Sequence, residues 1–352
     1  MKNGVRYATW QYDVQGRAIS SEHANGVDRY AVDFASLFGR TITDPLGTVR
    51  MYGLQPMLDV QKVSTIIQPA GAGSNQAVSS TSYDANGNIA TTTDLNGWST
   101  SYTYDLIRNL ELRRIEAADT ALARTTTTLW HPAYRLPAEI SSPLLKTSYT
   151  YDTQGNVLSK TELPTGPGGG VARTWTYTYN AVGQVLTATG PRTDIVDKTT
   201  NTYDTRGNLT SITNAVGHVT TMSNYDANGR VGQITDPNGL VTTLTYTERG
   251  WLSKLVSAGE GITQTTSYEY DGVGQMTRVT LPDNSSLTYT YDDAHRLTKI
   301  SDSLGNSINY TLDNIGNRIN ETVTDSSGNL ARQISRVYDA VNRLQTVTGA
   351  AQ

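Results

Sequence analysis

Through most of the chain, apolar or aromatic residues alternate with Thr and Ser at every second position, the period of strands with one covered face. In Leu240-Val241-Thr242-Thr243-Leu244-Thr245-Tyr246, alternation puts Leu240, Thr242, Leu244 and Tyr246 on one face and Val241, Thr243 and Thr245 on the other. The pairs Tyr102/Tyr104, Tyr149/Tyr151, Tyr177/Tyr179, Tyr268/Tyr270 and Tyr289/Tyr291 keep the same two-residue step. Each run stops at turn-forming residues and resumes behind a Gly, which predicts β-hairpins throughout. With a constant offset between Tyr and turn, the tyrosines are expected on one face, stacked in rows across neighbouring strands at roughly 0.2–1 kcal/mol per pair.

The hairpins repeat. Tyr-Asp-x-x-Gly-Asn/Arg occurs at Tyr12-Asp13, Tyr83-Asp84, Tyr151-Asp152, Tyr203-Asp204 and Tyr225-Asp226, with Gly16, Gly87, Gly155, Gly207 and Gly229 in the fifth slot. Weaker copies begin at Tyr104, Trp130, Tyr179, Tyr246, Tyr270, Tyr291, Leu312 and Tyr338. From position 83 onward, five of the eleven intervals between anchors equal 21 residues, and the longer ones carry inserts such as Pro164-Thr165-Gly166-Pro167-Gly168-Gly169-Gly170. A fixed period of this length marks a repeat array. Upstream the pattern degrades: Phe34 to Arg40 resembles a copy with one extra residue, and 45–78 holds one unrecognisable copy. The expected organisation is a degenerate stretch, 1–82, followed by a regular array, 83–352, with thirteen recognisable units and two degraded ones.

The motif has a physical reading as a turn. The Asp accepts hydrogen bonds from backbone N–H groups two residues on, and the Gly supplies positive φ. His295 and Asn342 occupy the Gly slot in two units, and both residue types tolerate positive φ. Arg108 and Tyr134 occupy it in two others, whose turns must differ. Second turns such as Asp94-Leu95-Asn96-Gly97 and Asp236-Pro237-Asn238-Gly239 return the chain to the next Tyr strand.

Composition narrows the picture to a thin sheet. Of 352 residues, 53 are Thr and 21 Tyr, against 2 Phe and 9 Glu, a strand-and-turn alphabet. A hydrophobic fraction of 37% disfavours a thick core. The net charge of −4, with 21 Arg and 7 Lys scattered along the chain, lacks the footprint of a nucleic-acid binder. Zero cysteines exclude disulfides, thiol catalysis and cysteine-ligated zinc. No apolar run approaches 18 residues, and the N-terminal residues show no secretion signal.

Tandem YDxxGN/R units about 21 residues apart resemble the YD-repeat, or RHS-repeat, family of bacterial Rhs proteins, toxin-complex C components and animal teneurins. The segment Arg6-Tyr7-Ala8-Thr9-Trp10-Gln11-Tyr12-Asp13 with Ser21-Glu22-His23-Ala24 is most similar to bacterial Rhs proteins. The resemblance implies an all-β fold in which tandem hairpins form one long, curved or spiralling antiparallel sheet, part of a hollow shell. It implies a non-enzymatic shell segment that encloses or presents a C-terminal polypeptide toxin, exported from a bacterium to the exterior or cell surface by a dedicated system. The expected partners are the remaining repeats and that toxin. The spaced pair of DPxG segments whose aspartates self-cleave in relatives is missing. Asp44-Pro45-Leu46-Gly47 and Asp236-Pro237-Asn238-Gly239 lie far apart inside repeats, and nothing non-repetitive follows before Gln352. The expectation is a shell section without contents, an open arc or short spiral with unpaired edges.

Candidate chemistry does not rise above this reading. The four histidines, His23, His131, His218 and His295, show no HExxH spacing; His131 and His295 sit in repeat slots and His218 in a second turn. The aspartates of the motif share one position, and turn formation accounts for each. The expectation is no catalytic residue, no cofactor and no metal, with Tyr83, Asp84, Gly87, Tyr151, Asp152, Gly155, Tyr203, Asp204, Gly207, Tyr225, Asp226 and Gly229 as structural motif residues. The second functional reading is a carbohydrate-binding or adhesion module that stacks glycans on the aromatic face, with Trp10, Trp98, Trp130, Trp175 and Trp251. The rival architecture is a β-propeller, disfavoured by unequal intervals and missing blade markers.

Overall fold

A computed structural model describes residues 4, 6–36, 39–72 and 74–351. They form 30 strands, from Ala8–Tyr12 to Leu344–Ala351, with no helix beyond a three-residue 3-10 turn at Ala24–Gly26. Each strand pairs antiparallel with the strands before and after it, so the sheet is one continuous meander of fifteen hairpins and no propeller blades. The degraded stretch belongs to the same sheet: hairpin 30–43 corresponds to Phe34–Arg40, and hairpin 49–68 is the unrecognisable copy. Leu37 and Phe38, within the Phe34–Arg40 copy, lie outside the described residues.

Thr and Tyr produce this sheet because both faces are half wet. In Arg173–Tyr179, Trp175, Tyr177 and Tyr179 are half-buried while the threonines between them are exposed. On the exposed face, hydroxyls pair across strands, as in Thr178 with Thr187 at 2.7 Å and Thr150 with Ser159 at 2.6 Å. No side chain is fully buried among the described residues, so the thin core expected from composition is what the fold contains.

The turns follow the sequence closely. Gly16, Gly87, Gly155, Gly207 and Gly229 all have φ between 76° and 87°, and His295 and Asn342 stand at 64° and 66°. In the Arg108 unit the positive φ moves one residue on, to Asn109, the difference that an Arg in the Gly slot requires. Hairpin 49–68 uses another device, a two-residue turn with Leu58 and Asp59 at φ 51° and 61°.

The meander also passes over its own beginning. The Asp28 N–H donates to the Asn314 carbonyl at 2.8 Å, and Asn25 Nδ2 donates to Asp293 Oδ2 at 3.0 Å. Arg343 donates to the Ala72 carbonyl at 3.0 Å and to Ser74 Oγ at 2.8 Å, and Thr48 Oγ1 donates to the Ala340 carbonyl. These contacts join turns; the first and last strands share no ladder. Three hairpins at the end therefore ride on the connections between the first hairpins, which makes the sheet a spiral of slightly more than one turn. About 23 strand steps separate the meeting points, so at about 4.8 Å per step the perimeter is roughly 110 Å and the ring about 35 Å across.

Candidate functional site

Where the YD turn has its Asp, that residue is the hub. Asp204 Oδ1 accepts the N–H groups of Arg206 at 2.9 Å and Asn208 at 2.8 Å, and Oδ2 accepts the Asn208 side-chain amide at 2.8 Å. The Asp204 N–H donates to the Asn208 carbonyl, and Gly207 N–H donates to the Asp204 carbonyl. The same bonds recur at Asp84 with Asn88 and at Asp152 with Asn156, and Arg230 replaces the amide at Asp226, donating through Nε. The Asn/Arg of the motif is thus the second arm of the cap, a role the sequence did not disclose. Where Gln stands there it reaches the next unit: Gln184 to the Gly207 carbonyl at 2.7 Å, Gln275 to the His295 carbonyl at 2.8 Å.

These bonds hold the carboxyls below the usual carboxylate range. The Asn156 amide leads at Asp152, the Asn208 amide at Asp204, and the Arg230 backbone N–H at Asp226. His131 shows how strict the slot is, since its Nδ1 imitates a carboxylate by accepting the N–H groups of Ala133 and Tyr134 at 3.2 and 3.1 Å.

The tyrosines do something other than stack across strands. A strand without the motif separates every two Tyr strands, and the tyrosine–tyrosine ring contacts lie within one strand, Tyr102 with Tyr104 and Tyr149 with Tyr151. The expected cross-strand ladder is corrected accordingly. Instead several motif hydroxyls donate backwards to a backbone carbonyl of the preceding unit: Tyr179 to Val157 at 2.8 Å, Tyr203 to Val185 at 2.9 Å, Tyr270 to Leu252 at 2.9 Å, Tyr291 to Met276 at 2.9 Å. Each acceptor is the residue paired with the preceding unit's own tyrosine, at a register shift. A bulge interrupts the ladder there and leaves a carbonyl to be satisfied. Tyr83 and Tyr151 bind Val63 and Pro137 in the same sense, Tyr225 binds Leu209, and Trp130, in the Tyr slot, sends Nε1 to the Glu111 carbonyl at 2.8 Å. Burial raises the hydroxyls of Tyr151, Tyr179, Tyr225, Tyr270 and Tyr291 above their ordinary value, so they stay neutral donors. One signal could have revealed this: 21 Tyr against 2 Phe is a preference for the hydroxyl, not for the ring.

The second turns carry the same Asp chemistry. Asp94 and Asp236 each accept two backbone N–H groups on Oδ1, and buried Asp44 does so while pairing with Arg50 at 2.7 Å. The two DPxG aspartates are therefore occupied in their own turns. Among the described residues no three His, Asp or Glu side chains gather as a metal site would require.

Two family models match the chain. Residues 140–351 match the teneurin YD-shell family and residues 83–121 the RHS repeat. The chain belongs to the YD-shell family. Solved structures share the YD-shell fold: a crystal structure of TcdB2-TccC3-TEV has a TM-score of 0.77 at 17% identity, covering 97% of this chain and 19% of that one. The crystal structure of TcdB2-TccC3-Cdc42 has a TM-score of 0.64 at 16% identity, covering 94% and 22%. The Tc holotoxin pore of Photorhabdus luminescens, with a TccC3 mutation, has a TM-score of 0.62 at 16% identity, covering 98% and 21%. This YD-shell chain spans about a fifth of the solved chains it matches. No curated protein sequence matches it.

The seam across the spiral was invisible in the sequence. Asn25, Asp28, Thr48, Ser74 and Arg343 gain partners some 270 to 290 residues away, and no local motif distinguishes them. His295 also lies there, edge-on to Tyr7 at 4.9 Å, with His23 stacked on Tyr7 at 4.6 Å, so the Gly-slot histidine is a seam residue as well as a turn residue.

Proposed function

We propose that this chain is a wall section of a hollow shell that encloses or presents a polypeptide toxin, and that the section contributes no catalytic group. The observation that carries the proposal is the seam: a single-layer sheet that comes round and seats on itself makes a wall around a lumen. A ring about 35 Å across leaves room for an extended or loosely packed chain. The turn aspartates and the motif tyrosine hydroxyls that bond the preceding unit support the non-enzymatic reading, since they are occupied in holding the wall. On this proposal the partners are further repeats and the toxin polypeptide, and the protein works outside the bacterial cell after export.

Protection from protease tests the proposal. An unfolded passenger peptide fused beyond Gln352 should survive a dose that digests the same peptide supplied as a separate chain. Equal digestion in the two cases, with the wall intact on a gel, would overturn it.

A further inference from the structure

The seam joins two different rims. The YD turns of hairpins 286–302 and 307–324 sit on the connection that follows hairpin 8–23, and that of hairpin 330–351 sits on the connections that follow hairpins 30–43 and 49–68. One rim supplies tips and the other sockets, and three of the fifteen tips are seated. Among the described residues the other tips and sockets make no seam contact, and several of their apolar side chains are open to water. Two residues after the Asp slot of the motif, which Asn180 fills in one unit, Ala294 and Val341 are 6% and 8% exposed in seated tips, whereas Val182 and Ile107 are 79% and 95% exposed in free ones. In the socket rim at the seam Val27 is buried and Leu46 half-buried, while Val216 and Leu304, at the position of Leu46 in their own turns, are exposed to water.

From this continuity we infer that copies of this chain stack head to tail, the free YD tips of one copy seating in the free sockets of the next. Among the described residues ten YD tips and eleven sockets remain outside the seam, and the spiral brings them into matching order, because the next turn of an ideal spiral would occupy the socket after hairpin 77–93 and those that follow. The contact is heterologous, so nothing in its geometry limits it to two copies. It uses rims rather than strand edges, and it stands on the seam whether or not the chain encloses a polypeptide.

Two pairs of substitutions at exposed positions test the inference with the full chain. I107D with V182D blocks tips, and V216D with L304D blocks sockets; circular dichroism checks that both retain the sheet. In sedimentation velocity the unsubstituted chain should grow in mass with concentration, and each variant alone should associate at least tenfold more weakly. An equimolar mixture of the two should recover a two-copy particle and nothing larger, since only one tip rim and one socket rim remain compatible. A chain that stays monomeric at its solubility limit overturns the inference. So do variants that associate as strongly as the unsubstituted chain, or a mixture that fails to recover the pair.

Discussion

Hairpins 198–213 and 49–68 occupy equivalent places in the same sheet with unlike turns. The first closes through Asp204, Gly207 and Asn208 and ties its Tyr203 to the preceding unit. The second has two nine-residue strands, a two-residue turn at Leu58 and Asp59, and no Asp cap. Both pair normally with their neighbours, so the motif is not needed to make a strand join the sheet. What it fixes is the tip, its length and the direction of its amides and carbonyls, together with one tyrosine bond between units. A longer ladder substitutes for that cap inside hairpin 49–68.

Acid should break the comparison most widely, because it acts on many turns together. The Asp152, Asp204 and Asp226 carboxyls titrate below their ordinary 3.8 in the folded chain, so the stability they confer is full above that value and is lost as pH falls through the lower folded value. Between pH 5 and pH 2, hydrogen exchange should deprotect the amides of 204–208 before those of the 51–57 ladder, about these pH limits as reasoned from linkage. Simultaneous loss in both regions would mean that the caps do not set tip stability.

Gly207→Val comes next. A β-branched residue at φ 86° should destabilise its hairpin by about 2 kcal/mol or more, read as a lower melting temperature. Replacing Leu58-Asp59 with Asn-Gly should instead be neutral or stabilising by a few tenths of a kcal/mol to about 1 kcal/mol.

Tyr203→Phe should cost about 1 kcal/mol, because the Val185 carbonyl at the bulge loses a donor. Tyr52, in hairpin 49–68, makes no hydroxyl hydrogen bond among the described residues, and its change to Phe should stay within about 0.5 kcal/mol. Urea titration of both variants would show whether the hydroxyl or the ring matters.

Most of the fold was legible because it is local. Alternation, the Asp-to-N–H bond and the positive φ of Gly87 or His295 each depend on residues within five positions, and most of the thirteen units display them. The tyrosine bond was misread because it spans units: alternation assigns a face but not the partner across it, and the intervening strand forbids direct stacking. The seam was beyond sequence reasoning altogether. Asn25 meets Asp293 and Ser74 meets Arg343 because curvature accumulates over some two dozen strands, a sum to which no residue testifies individually.

The tyrosine hydroxyls and the seam together make the wall a one-start helical lattice, with lateral bonds between successive subunits and axial bonds between successive turns. In such a lattice the number of subunits per turn is not free. A hairpin gained or lost between residues 77 and 280 would leave every lateral bond intact, yet shift Asp293, Asn314 and Arg343 each by one subunit against Asn25, Asp28 and Ser74. Insertions within a loop, as at Gly166–Gly170, leave that count unchanged. The unit of tolerated variation in this wall is therefore the loop, while the hairpin count is held by residues at the far side of the circumference.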